Sequence, residues 1–126
     1  MSQLMRSIKC CMSDLEGASD NTLSANFIFP ADFLGFKGHF PGKPILPEVC
    51  EIQAVLLMLE EFKQQNVLLK EVVRVKFFSP VICDEKITIK LEEREETNGE
   101  SSVKARVTSK EKKVAEINLR VSIINK

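Results

Sequence analysis

The residue best suited to proton transfer in this sequence is its only histidine, His39, in the segment GHFPGKPILP (residues 38–47). An imidazole with a reference pKa near 6.5 is neutral at pH 7 and can accept a proton. Pro41 and Pro44 fix the backbone on the carboxyl side of the ring, so the ring can be aimed. A histidine in such a turn is equally explained by a structural role, with its ring hydrogen-bonded to the backbone. The sequence therefore offers a candidate base in a turn.

The segment after this turn predicts the central helix, from Pro47 to Phe62. Apolar residues recur there at spacings of three and four and cover almost the whole circumference of the helix. The first backbone N–H groups of a helix have no partner within it, and here they follow the histidine closely. They can hold a developing oxyanion, so the helix start is a second candidate part of a site.

Strands are predicted on both sides of this helix. Residues 4–12 alternate loosely and predict a first strand. It would pair as a hairpin with a second strand that runs from Leu23 to Phe29 and is stopped by Pro30. After the helix, period-two alternation predicts a four-stranded antiparallel meander, with strands near residues 72–78, 86–93, 103–108 and 116–123 and a turn at Asn98–Gly99. An antiparallel sheet of about six strands wrapped round one long helix gives the α+β class, with residues 1–126 as one domain.

Composition argues against several function classes. Lys plus Arg and Asp plus Glu both number 18, and the chain has no Trp or Tyr, which disfavours nucleic-acid binding. The four cysteines show no CxxC pair, so we expect reduced thiols and no metal site. The longest apolar run, AVLLML, is far shorter than the roughly 20 residues that cross a bilayer. We expect a cytoplasmic protein that does not bind membranes.

The segment GHFPGKPILP, the helix after it and the later segment VRVKFFSPVICDEKITIKLE resemble the (3R)-hydroxyacyl-acyl-carrier-protein dehydratases of fatty-acid synthesis, which have the hotdog fold. The resemblance implies elimination of water from a 3-hydroxyacyl thioester to give a trans-2-enoyl thioester. It implies no metal or redox cofactor, because the substrate is carried on the phosphopantetheine of acyl carrier protein or coenzyme A. It also implies a homodimer, or a hexamer built as a trimer of dimers, with each site between two subunits.

Site residues follow from the resemblance position by position. His39 matches the base that removes the C2 proton, and Gln53 lies where the family has the Glu or Asp that protonates the departing hydroxyl. The resemblance also implies that Gly42, Glu48 and Val49 bind the substrate and stabilise the oxyanion. It implies a basic surface for an acidic carrier protein, formed by Lys37 and Lys43. An amide at position 53 can bind the 3-hydroxyl but cannot protonate it, which leaves the dehydratase mechanism incomplete.

This incomplete mechanism leaves alternative interpretations open. Glu51 lies about 200° round the helix from Gln53 and is interpreted, with Glu48, as a charge that complements the helix N-terminus. Cys50 and Cys83 are interpreted as packing residues rather than nucleophiles. The protein is then an active dehydratase, an accessory subunit that binds acyl thioesters or acyl carrier protein without turning them over, or a hotdog thioesterase.

Overall fold

The computed structural model describes residues 2–18, 20–36 and 44–124. Two α-helices, one 3-10 turn at Leu34–Phe36 and six strands make up this part of the chain. In chain order the helices and strands are α1 Gln3–Cys11, β1 Met12–Gly17, β2 Thr22–Ile28, α2 Glu48–Lys63, β3 Asn66–Phe77, β4 Lys86–Glu95, β5 Glu100–Ser109 and β6 Lys112–Ile124. The predicted α+β class and six-stranded antiparallel sheet are confirmed.

The strand order of the sheet is β1-β2-β4-β5-β6-β3, and every pair is antiparallel. The predicted meander of four strands is wrong, because β3 pairs with β6 and lies at the edge of the sheet. A tight turn at Asn98 and Gly99, which have φ of 63° and 74°, joins β4 to β5 as the sequence predicts. Residues 78–85 do not form a hairpin between β3 and β4. They lead the chain from β3, at the edge of the sheet, to β4, which lies between β2 and β5.

The predicted first strand, residues 4–12, is also wrong, since Gln3–Cys11 is the helix α1. Ser2 begins it as the N-cap, and its side-chain oxygen accepts a hydrogen bond from the amide of Met5 at 3.1 Å. Leu4, Ile8 and Cys11 recur at helical spacing and pack on the core, with Ile8 fully buried. The hairpin partner of β2 is therefore β1, which follows α1.

Helix α2 lies at the centre of one hydrophobic core. Its six consecutive residues from Ala54 to Leu59 are all buried, as the apolar circumference of the helix predicts. The inward side chains of the four middle strands belong to the same cluster, among them Phe27, Ile89, Val107 and Leu119. The sheet therefore covers α2 and fixes the position of its N-terminal end.

Leu57, in the middle of α2, has none of its surface exposed, so Leu57→Ala should leave a cavity in the core. We expect the free energy of unfolding to fall by about 2–5 kcal/mol. Urea denaturation of both proteins at one concentration measures the change. As a control, Ile28→Ala at a side chain that is 44% exposed should cost less than about 1 kcal/mol, and equal losses in the two variants would contradict this assignment of the core.

Candidate functional site

The chain entering α2 is anchored to the connection between β3 and β4. The amide of Leu46 donates to the carbonyl of Val81 at 2.8 Å, and Ile45 forms an antiparallel bridge with Ile82. Pro47 follows with φ −60° and ψ 136° and supplies no side-chain cap to the helix. The first turn of α2 is thus held in place while its amides are left uncapped by any side chain.

Two amides at the start of α2 are available to a ligand. The amide of Cys50 donates to the carbonyl of Pro47 at 2.9 Å, whereas those of Glu48 and Val49 have no hydrogen-bond partner among the described residues. Val49 is 53% exposed, and Glu48 is exposed as well. Amides at a helix N-terminus carry partial positive charge, so this pair can bind the oxygen of a polarised carbonyl.

Gln53 and Glu51 lie in different surroundings. Gln53 is partly exposed, so its amide is accessible on the less buried side of α2. Glu51 is only 1% exposed, and its Oε1 has no hydrogen-bond partner among the described residues. This burial contradicts the interpretation of Glu51 as a charge that complements the helix N-terminus, because a buried carboxyl favours its neutral form.

Burial has a chemical consequence for Glu51. Loss of hydration, which is the largest cause, and the negative charges of Glu48 and Glu85 together raise the pKa of this carboxyl to about 8. Glu85 is itself held in place, accepting hydrogen bonds from the Ile82 amide at 3.1 Å and from the Ser109 hydroxyl at 2.7 Å. At pH 7 Glu51 is mainly a neutral carboxylic acid in the folded chain.

The thiols near this helix do not form a nucleophilic centre. Burial raises the pKa of Cys50 and that of Cys11 to about 11, so both are thiols at neutral pH. Cys50 is buried, which fits the packing role predicted for it, and Cys83 is partly buried. Within residues 2–18, 20–36 and 44–124, no three His, Cys, Asp or Glu side chains lie together as a metal site, and no helix is long and apolar enough to span a membrane.

Four of the predicted site residues, namely Lys37, His39, Gly42 and Lys43, lie outside the described residues. The structure describes Glu48, Val49 and Gln53, and it brings the first two together at the open end of α2. Their roles toward a substrate stay predictions.

Comparison with protein-family models assigns this chain to a family. Residues 15–118, which include the histidine segment and all of α2, match the ApeI-like family, described as ApeI dehydratase. The chain belongs to the ApeI-like family. A search of curated proteins finds no matching sequence.

Solved structures show that this ApeI-like chain has the hotdog fold predicted from its sequence. The dehydratase heterocomplex ApeI:P from Xenorhabdus doucetiae superposes with a TM-score of 0.77 at 17% identity, over 88% of this chain and 96% of that chain. A hypothetical thioesterase with coenzyme A from Streptococcus pneumoniae gives 0.70 at 8% identity, over 98% and 95%. The uncharacterised PH1136 from Pyrococcus horikoshii gives 0.71 at 14% identity, over 92% and 85%.

Sequence reasoning missed the burial of Glu51, although a signal for it was present. Glu51 precedes Ala54 and Val55 by three and four residues, and both of these are fully buried. A side chain at that spacing lies on the same helix face. In a helix that is apolar almost all round, this spacing predicts burial rather than solvation.

Proposed function

We propose that this ApeI-like protein acts on 3-hydroxyacyl thioesters as a dehydratase. The observation that carries the proposal is the pair of unpartnered amides of Glu48 and Val49, which begin α2 directly after the HFPG segment. Either amide can donate to the thioester carbonyl oxygen, where negative charge develops when the C2 proton leaves. Family membership supports the same reaction class.

In this reaction His39 accepts the C2 proton, the C2=C3 double bond forms, and the bond from C3 to the hydroxyl oxygen breaks. The departing hydroxide needs a proton to leave as water. Gln53 is partly exposed and can bind the 3-hydroxyl as donor or acceptor, but an amide gives up no proton at neutral pH. Glu51 is a neutral acid, but its side chain is only 1% exposed and is closed off from the substrate. The proton therefore comes either from the imidazolium of His39 or from an acid on another chain.

A second chain fits the surface of this protein. The outer edge of β3 is unpaired in the described chain, and Leu68, Val72 and Val73 on that strand are between 41% and 52% exposed. A long apolar edge strand without cover favours pairing with another chain. We propose a homodimer that pairs there, in which acyl carrier protein or coenzyme A brings the substrate and no further cofactor is needed.

An accessory role is the second candidate function, and Gln53 is the observation that favours it. The structural neighbour ApeI:P is a dehydratase heterocomplex, so a related fold works with a different partner. A chain that keeps the amides of α2 but lacks the acid suits a subunit that binds acyl thioesters while a partner supplies the acid. In that case acyl thioesters bind to the isolated protein without turnover.

The test of the proposed function is an assay with a 3-hydroxyacyl thioester, with the 2-enoyl product measured by chromatography. We expect turnover by the wild-type protein and a loss of about 10²- to 10⁴-fold in His39→Ala, because the base is removed. Glu111→Ala, in the turn between β5 and β6, is the control and should keep full activity.

Other products of the same assay separate the alternatives. Free thiol released without enoyl product would show a thioesterase and overturn the proposal. Wild-type turnover no greater than that of His39→Ala, together with measurable thioester binding, would favour the accessory subunit.

A further inference from the structure

The solvent face of the sheet, on the side away from the core, carries a trough of about 720 Å³. Strands alternate their side chains between the two faces, and the outward positions of three strands here supply cations. We call this feature the basic trough and define it by its five exposed cations, Arg74 and Lys76 on β3, Lys90 on β4, and Lys104 and Arg106 on β5.

The strand register places these cations in two groups. Lys90 lies directly opposite Arg106, and Lys104 is two residues from Arg106 on the same face of β5. Like charges that face each other across two strands destabilise a sheet. Arg74 and Lys76 lie beyond β6, so about 10 Å, or two strand spacings, separates them from β5.

The cations of the basic trough lack ion-pair partners. The ion pairs in the part of the chain that the structure describes use Lys9, Lys63 and Arg120, and none uses a cation of the basic trough. Three carboxylates line the trough against its five cations, so positive charge is in excess there although the whole chain is neutral. Glu92 lies opposite Lys104, and Glu116 lies opposite both Arg106 and Lys76, so these carboxylates offset part of the charge. Lys90 faces only Ser24 and Arg106, and a bound anion would relieve the repulsion between Lys90 and Arg106.

The rest of the lining favours phosphate groups. The hydroxyl of Ser24 and the amide of Asn118 line the same trough and can donate hydrogen bonds to phosphate oxygens. Two of the cations are guanidinium groups, whose paired N–H donors match phosphate oxygens. The trough volume lies within the range of roughly 300–1,000 Å³ typical of small-molecule sites.

The lining also argues against macromolecular partners. The apolar residues that line the trough, Leu23, Leu91 and Ala105, are at most 6% exposed because their side chains face the core. Protein interfaces need an apolar or aromatic centre, and single-stranded nucleic acid needs aromatic side chains on which bases stack. The described lining supplies neither.

We propose that the basic trough binds a small anion with two phosphate groups about 10 Å apart, one held by Lys90, Lys104 and Arg106 and the other by Arg74 and Lys76. This site lies on the face of the sheet opposite α2. It therefore does not depend on the proposed dehydratase activity.

Fructose 1,6-bisphosphate and fructose 6-phosphate serve as matched probes in calorimetric titrations at 150 mM salt. We expect the bisphosphate to bind at least about tenfold more tightly, because only the bisphosphate reaches both groups of cations. The double variant Lys90→Glu/Arg106→Glu should lose at least tenfold in affinity for the bisphosphate. Lys110→Glu/Lys112→Glu makes the same charge change at the turn between β5 and β6, where Lys112 is the first residue of β6, and should bind as the wild type does.

Arg106→Gln removes one cation without reversing its charge and keeps the test decisive if the double variant fails to fold. Its loss of bisphosphate affinity, with amide chemical-shift changes on bisphosphate binding confined to β2, β3, β4, β5 and β6, would support the site. Equal affinity for the two probes, no binding at this salt concentration, or equal loss in both double variants would overturn the proposal. Tighter binding of a single-stranded oligonucleotide than of the bisphosphate would also overturn it.

Discussion

Gln53→Glu is expected to raise the rate of dehydration of a 3-hydroxyacyl thioester by about 10²- to 10⁴-fold. The gain is that of a general acid, which transfers a proton to the departing hydroxyl in the transition state. Gln53 is partly exposed on α2, so a carboxyl group of nearly the same shape fits there without being buried in the core. Single-turnover kinetics with saturating protein measure the chemical step directly.

Two control variants show whether a gain in rate comes from the acid at position 53. Gln53→Leu removes hydrogen bonding while keeping a similar volume, so a gain seen in Gln53→Glu but not in Gln53→Leu comes from the acid. The double variant His39→Ala/Gln53→Glu should be as inactive as His39→Ala, because no base removes the C2 proton. If Gln53→Glu instead slows an active wild type, the amide is part of a working mechanism and the accessory role is contradicted.

The part of the fold that sequence predicts best is α2 and the strands after it. Both have long periodic patterns. The predicted bounds of α2 lie within one residue of the observed ones, because Pro47 marks the start of the helix and the apolar spacing stops at Phe62. The order of the strands in the sheet was predicted less well. Alternation identifies β3 as a strand but does not say which strand pairs with it, and its pairing with β6 depends on the path of residues 78–85.

The misassigned α1 shows the limit of short patterns. Residues 4–12 contain both an alternation through Ile8, Cys10 and Met12 and a helical spacing through Leu4, Ile8 and Cys11. In so short a segment the choice depends on what covers it. The helix forms because Ser2 caps it and because its apolar side packs on the core, while Cys10 stays exposed.

Within the candidate site, the sequence predicts the free backbone amides but not the buried carboxyl group of Glu51. The open amides at Glu48 and Val49 follow from helix geometry, which leaves the first N–H groups unpaired wherever a helix begins. The protonation state of Glu51 depends instead on the burial of its side chain and on the placement of Glu48 and Glu85. These features depend on tertiary packing, which residue spacing alone does not determine.

The burial of Glu51 predicts a pH dependence of stability. Its pKa is about 8 in the folded chain, against 4.5 for the free carboxyl, so the folded state binds the extra proton between these two values. The free energy of unfolding should therefore fall with rising pH across this window, by about 1.4 kcal/mol per pH unit at most, and level off above pH 8. Urea denaturation at pH 5, 6, 7 and 8, at one protein concentration, measures the slope.

Glu51→Gln isolates this contribution because the amide keeps the shape of the side chain and does not titrate. Both proteins carry the same other titratable groups, so the difference between their pH profiles reports on Glu51 and its interaction with Glu48 and Glu85. The variant should gain stability relative to the wild type as pH rises from 5 to 8, by up to about 4 kcal/mol over those three units. Glu48→Gln, at the exposed carboxyl one turn earlier, should keep most of the wild-type slope. A difference between Glu51→Gln and the wild type that stays constant over this range would show that the carboxyl is ionised in the folded chain. Water would then have to reach the buried side chain of Glu51.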